Sequence, residues 1–83
     1  VHALVAAEVR AHPESPALVF GSRVCTYGEL GARARALSRR LRDAGIGAGD
    51  VVVLHLDRSV EFVVAMLGVL DAGAAYLPID PAD

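Results

Sequence analysis

The stretch "VVVLHLDRSVEFVVAMLGVLDAGAAYLPI", Val51 to Ile79, decides the fold. It opens on "VVVLHL", Val51 to Leu56, an apolar run rich in β-branched side chains. Such a run suits a strand buried on both faces, as in parallel sheets. Asp57 to Ser59 reads as a turn, with Ser59 as N-cap and Glu61 favourable in the first helical turn. The helix that follows runs to about Ala72. Its apolar residues Val60, Phe62, Val63, Val64, Met66, Leu67, Val69 and Leu70 point in nearly all directions, so it must be covered on several sides. Gly73 stops it, and "AAYLPI" is a second strand. Strand, helix and strand over this span form a βαβ unit, with parallel strands and a right-handed crossover.

Upstream, Val1 to Ala11 is expected to be a helix with Leu4, Val5 and Val9 on its apolar side. Pro13 biases His12 out of helical geometry and ends it. "ALVF" (Ala17 to Phe20) and "RVCT" (Arg23 to Thr26) are short strands, and Gly21-Ser22 between them suits a tight hairpin. Thr26 then caps a helix. Glu29, three residues on, completes a reciprocal capping box. Tyr27, Leu30, Ala34, Leu37, Leu41 and Ala44 step by three and four along one stripe. Gly45 stops this helix in the left-handed conformation, and Ile46 folds back on it. The fold class is therefore α/β: a β-hairpin plus a βαβ unit.

The side-chain inventory is apolar for so short a chain. Of 83 residues 54% are hydrophobic, and mean hydropathy is +0.45. A body this small has a high ratio of surface to volume. Either apolar surface stays open or another part of a larger protein covers it. The chain reads as an interior piece of a larger α/β domain, poorly stable by itself. The competing reading is a small complete α/β protein, or a homodimer burying the same surface. Net charge of −2 gives no global field for nucleic acid or an anionic membrane. The longest apolar segment is too short for a bilayer and contains Glu61, and "VHALVAAEVR" lacks the pattern of a signal peptide. A lone cysteine, Cys25, allows no internal disulfide and fits a reducing compartment. A cytoplasmic location is expected.

Several residues invite functional readings that their surroundings do not support. "GIGAGD" precedes a strand and lacks G-x-G-x-x-G spacing, so it is a helix stop and turn. His55 near the strand end has no second metal ligand at useful spacing, and a packed or hydrogen-bonded role is expected. His2 and His12 read as surface residues. Arg33, Arg35, Arg39, Arg40 and Arg42 lack the interleaved aromatics of nucleic-acid surfaces and read as a solvated face, with a protein–protein contact as the alternative. Cys25 has no histidine arranged around it, and Ser59 has no base.

"CTYGELGARARALSRRLRDAGIGAGDVVVLHLDRSVEFVVAMLGVLDAGAAYLPIDP" resembles the start of adenylation domains of nonribosomal peptide synthetases, in the adenylate-forming superfamily. "TYGEL", Thr26 to Leu30, is similar to the first core motif of that family, and "LDAGAAYLPIDP", Leu70 to Pro81, to the second. One departure is Asp71, where the family commonly has lysine. Abundant alanine and arginine with no lysine suggest a bacterial source.

The resemblance implies that residues 1–83 are the N-terminal segment of an adenylation domain's large subdomain, with no complete domain present. It implies a reaction in which ATP and an amino acid give aminoacyl-AMP and pyrophosphate. The acyl group then passes to a phosphopantetheine thiol on a neighbouring carrier domain. The implied cofactors are ATP and Mg²⁺, and the implied partners are the rest of the domain with carrier and condensation domains. The family's phosphate loop, substrate pocket and catalytic lysine lie further along the polypeptide. No catalytic, cofactor-binding or metal-binding residue is therefore expected here, and the segment alone is expected to be inactive. Thr26 and Glu29 transfer as a cap, Gly73 as a helix stop, and Tyr76 and Pro78 as shapers of the strand. The alternatives are a segment of an acyl-CoA or fatty-acyl-AMP ligase, and a small non-enzymatic α/β interaction module.

Overall fold

A computed structural model describes residues 2–81. The order is α1 (His2–Ala11), β1 (Pro16–Phe20), β2 (Arg23–Thr26), α2 (Tyr27–Asp43), β3 (Val51–Leu54), α3 (Val60–Asp71) and β4 (Ala75–Pro78). β1 and β2 form an antiparallel hairpin, and β3 and β4 form a separate parallel pair. Both pairings match the order of elements expected from the sequence.

The hairpin pairs Phe20 with Arg23, leaving Gly21-Ser22 as a two-residue turn. Gly21 takes φ +61°, and no non-glycine residue among those described has positive φ, so the turn needs glycine at its first position. β1 starts one residue earlier than expected, at Pro16, through an irregular register between Pro16 and Leu18. The loop between α1 and β1 is tied to the start of α2. Gly28 N–H donates to the Pro13 carbonyl at 2.8 Å, and Tyr27 N–H to the Ser15 carbonyl at 3.0 Å.

The core lies where α2 and α3 pack together. Leu30, Val60 and Val69 are the largest fully buried apolar side chains. Each stabilises the fold by about 1.5–3 kcal/mol through burial. The close approach depends on Gly68. A Cβ there would sit 2.9–3.0 Å from three side-chain atoms of Leu37. Gly31 does the same for α1, where a Cβ would meet Val9 at 2.9 Å.

Three expectations need correction. Leu4 does not join the apolar side of α1; it is 75% exposed, and α1 meets the core only through Val5 and Val9, both half-buried. Ala44 leaves the stripe of α2, because as C-cap it sits at the exposed end of the helix. The third concerns β3, which ends at Leu54 instead of Leu56 and is buried on one face only. Val52 and Leu54 face α3, whereas Val51 and Val53 are 61% and 53% exposed. The physical reason is that a two-stranded sheet carries one helical layer here. Leu77, paired with Val53, is open on the same side as the outward residues of β3. A sequence apolar on both faces thus meets a structure that covers one of them.

Candidate functional site

The two motif segments occupy the two helix–strand junctions that define the chain's geometry. At the first, Thr26 is the N-cap of α2 in extended geometry. Its Oγ1 accepts the Glu29 N–H at 3.2 Å, and its own N–H donates to Glu29 Oε1 at 3.2 Å. The Thr26 hydroxyl also donates to Glu29 Oε1, at 3.0 Å. These bonds favour the ionised carboxylate and hold the Glu29 acid below its ordinary range, with the Thr26 backbone bond the leading cause and the hydroxyl bond next. The reciprocal box expected from "TYGE" is present.

At the second junction α3 ends on Ala72, and Gly73 takes φ +87°. Ala74 N–H reaches back to the Val69 carbonyl at 3.2 Å, and Gly73 N–H to the Leu70 carbonyl at 3.0 Å. This double closure is a Schellman stop, and only glycine meets its left-handed position without strain. α2 ends the same way, with Gly45 at φ +84° and Ile46 N–H on the Leu41 carbonyl at 2.9 Å. The turn after α3 feeds β4 into register beside β3, pairing Val52 with Tyr76 and Val53 with Leu77. Asp71 stands on the exposed end of α3. Its backbone carbonyl accepts from Arg42, and its carboxylate lies 4.0 Å from the same guanidinium.

A groove of about 590 Å³ opens at the C-terminal ends of β3 and β4. Leu56, Phe62, Tyr76 and Ile79 supply apolar walls, and Arg58 and Asp57 stand at its edge. Strand ends of open α/β sheets are where ligands collect. Tyr76 is half-buried and packs against the cluster of Leu54, Val69 and Ala74, which agrees with a shaping role. Ser59 caps α3 by accepting the Phe62 N–H at 3.2 Å and donates to the Asp57 carbonyl at 3.1 Å, so its hydroxyl is engaged in structure. His55 is exposed just beyond β3, not packed as expected, because the strand ends before it. Residues 2–81 contain no group of three or more His, Cys, Asp or Glu placed to hold a metal ion. The groove offers one guanidinium, from Arg58, with Asp57 and Asp80 at its border and no glycine in its lining.

The remaining candidates are structural. Cys25 lies on the buried side of β2, and burial followed by the Glu29 charge pushes its thiol pKa up, which makes it a poor nucleophile. Two arginines clasp one acid between elements: Arg23 and Arg33 lie 2.9 and 3.5 Å from Glu61 Oε2. Arg35, Arg39 and Arg40 are exposed, consistent with a solvated face.

Sequence reasoning missed Ser38, which is 1% exposed with no partner for its Oγ among the described residues. It also passed over Gly68. A glycine inside an otherwise apolar helix was the available signal of a close approach.

The chain belongs to the AMP-binding enzyme family, whose model matches residues 5–82. It is 49% identical over 73 residues to surfactin synthase subunit 3 of Bacillus subtilis, covering 88% of this chain and 6% of that protein. It is 48% identical over 86 residues to malpibaldin synthetase of Mortierella alpina, covering 100% of this chain and 2% of that one. Relatives thus include bacterial and fungal proteins, and the chain spans only a small share of their length. The N-terminal subdomain of Klebsiella oxytoca NpsA superposes with TM-score 0.90 and 29% identity, covering 100% of this chain and 22% of the other. NpsA-ThdA, an artificially fused adenylation–PCP di-domain from the same organism, matches with TM-score 0.89 and 29% identity, over 95% of this chain and 15% of that chain. The likeness extends to sequence and fold together, and the chain is part of an adenylation domain of the peptide-synthetase kind. Among the described residues no helix is long and apolar enough to cross a membrane.

Proposed function

We propose that the protein containing this chain activates an amino acid with Mg-ATP, releasing pyrophosphate and forming an aminoacyl adenylate. The acyl group then passes to the phosphopantetheine thiol of a carrier domain. The carrying observation is the family match over residues 5–82, with peptide synthetases among the relatives. The peptide synthetases among the relatives, and the artificially fused adenylation–PCP protein among the structural matches, support a carrier partner. The single cysteine of the chain supports a cytoplasmic setting.

Within that enzyme, residues 1–83 are a scaffold segment and no complete domain. The open apolar residues Val51, Val53 and Leu77 support this, because a one-sided parallel pair is an unfinished layer. No residue of the chain is assigned to ATP, metal or substrate, and the segment alone is inactive.

The test is ATP–pyrophosphate exchange by the intact protein across the amino acids and a set of fatty acids. Exchange stimulated by one or a few amino acids is expected. Exchange stimulated by fatty acids alone refutes the reading in favour of an acyl-CoA or fatty-acyl-AMP ligase. Titration calorimetry of the 83-residue chain with ATP addresses the scaffold assignment, and micromolar binding would overturn it.

A further inference from the structure

A second cleft lies away from the strand ends, where α1 crosses α2 and the end of α3. Its volume is about 160 Å³. Val5, Val9, Ala34 and Leu67 form the floor, and Arg10 and Arg35 flank the opening. A space of roughly 150 Å³ with apolar walls holds one benzene-sized group. The cleft thus admits one leucine- or phenylalanine-sized side chain.

The charge around it is predominantly positive. Arg23 and Arg33 are satisfied by Glu61. Asp71 also borders the cleft, its carboxylate 4.0 Å from the Arg42 guanidinium, so the lining sets two guanidinium groups against one carboxylate. Arg10 and Arg35 have no carboxylate within 4.0 Å among the described residues. Arg39 is exposed one helical turn beyond Arg35 and extends the same positive strip. Two unneutralised guanidinium groups over an apolar floor complement an apolar anchor set among acids.

We propose that this cleft docks an acidic polypeptide segment, seating one apolar side chain on Val9 and Leu67 with flanking carboxylates on Arg10 and Arg35. Nucleic acid is the less suited polyanion, because the floor is aliphatic and His2 alone among the lining residues offers a ring on which a base could stack. The charges steer encounter and register, and the buried anchor supplies affinity.

The test uses the intact protein and a fluorescein-labelled peptide, Ser-Glu-Asp-Leu-Glu-Asp-Ser, followed by anisotropy at low salt. Saturable binding is expected. Replacing the peptide leucine by asparagine should weaken it at least about tenfold, as should filling the cleft mouth with Ala6→Trp. Arg10→Gln with Arg35→Gln should weaken it by a similar factor, with unchanged circular dichroism. Absence of binding overturns the proposal. So does equal binding of the leucine-free peptide, and so does binding of an oligothymidylate with the same response to the variants.

Discussion

Gly68→Ala isolates the helix contact on which the core depends. By intrinsic propensity the substitution should help α3, since alanine is favoured over glycine by about 0.8–1 kcal/mol inside a helix. Geometry opposes it. The added methyl would stand 2.9 Å from Leu37 Cδ2 and 3.0 Å from both its Cβ and Cγ. Cδ2 can rotate away, but Cβ is fixed to the backbone of α2, so the helices must separate. Overpacking of this kind costs about 1–3 kcal/mol. The expected balance is a loss of about 1 kcal/mol, small but opposite in sign to propensity. Hydrogen exchange of α2 and α3 amides in the intact protein reads it locally, as exchange faster by about fivefold. Leu37→Gly removes Cβ, Cγ and Cδ2, the three atoms that the new methyl would meet. In that background Gly68→Ala should turn neutral or protective, a coupling of about 1–2 kcal/mol. Slower exchange in Gly68→Ala alone, or the same effect in both backgrounds, refutes the argument that Leu37 excludes a side chain at 68.

Ser38→Ala should leave stability unchanged or raise it by up to about 1 kcal/mol, because it removes a buried hydroxyl without a partner; slower amide exchange in α2 checks this, and a clear loss would reveal a hidden acceptor. The capping box makes α2 sensitive to acid. The Glu29 carboxyl is lowered in the fold, so its contribution is complete above the unfolded carboxylate range and fades as pH falls through the depressed value. Exchange at the α2 N-terminus should accelerate as pH drops below about 4.5, beyond the change in intrinsic rate, and Glu29→Gln should flatten that excess. Cys25 should resist iodoacetamide at neutral pH in the native protein and react once denatured, since burial raises its thiol pKa; rapid native alkylation, followed by mass spectrometry, would contradict its placement.

Elements whose signal is local were legible in the sequence. Thr26 and Glu29 lie three residues apart and bond within one turn, so the start of α2 could be read without knowing its neighbours. Gly45 and Gly73 likewise announce helix ends through backbone conformation alone. The hairpin turn at Gly21-Ser22 and the parallel pairing across α3 follow from short-range rules of the same kind. The family, too, was carried by the motif residues Thr26 to Leu30 and Leu70 to Pro81.

What the sequence alone did not determine are contacts between elements distant along the chain. Nothing in "VHALVAAEVR" says that Val5 and Val9 face α2 while Leu4 faces solvent, because three apolar residues near one side of a helix leave its exact rotation open. Nothing in "VVVL" says which face α3 covers, since both faces are equally apolar. His55 could be read as packed until the strand was seen to end at Leu54. Ser38 and Gly68 acquire their meaning only when α2 and α3 meet at close range. Local chemistry set where each element of this protein begins and ends; tertiary packing decided which side of each is buried, because burial depends on surfaces that approach from elsewhere in the chain.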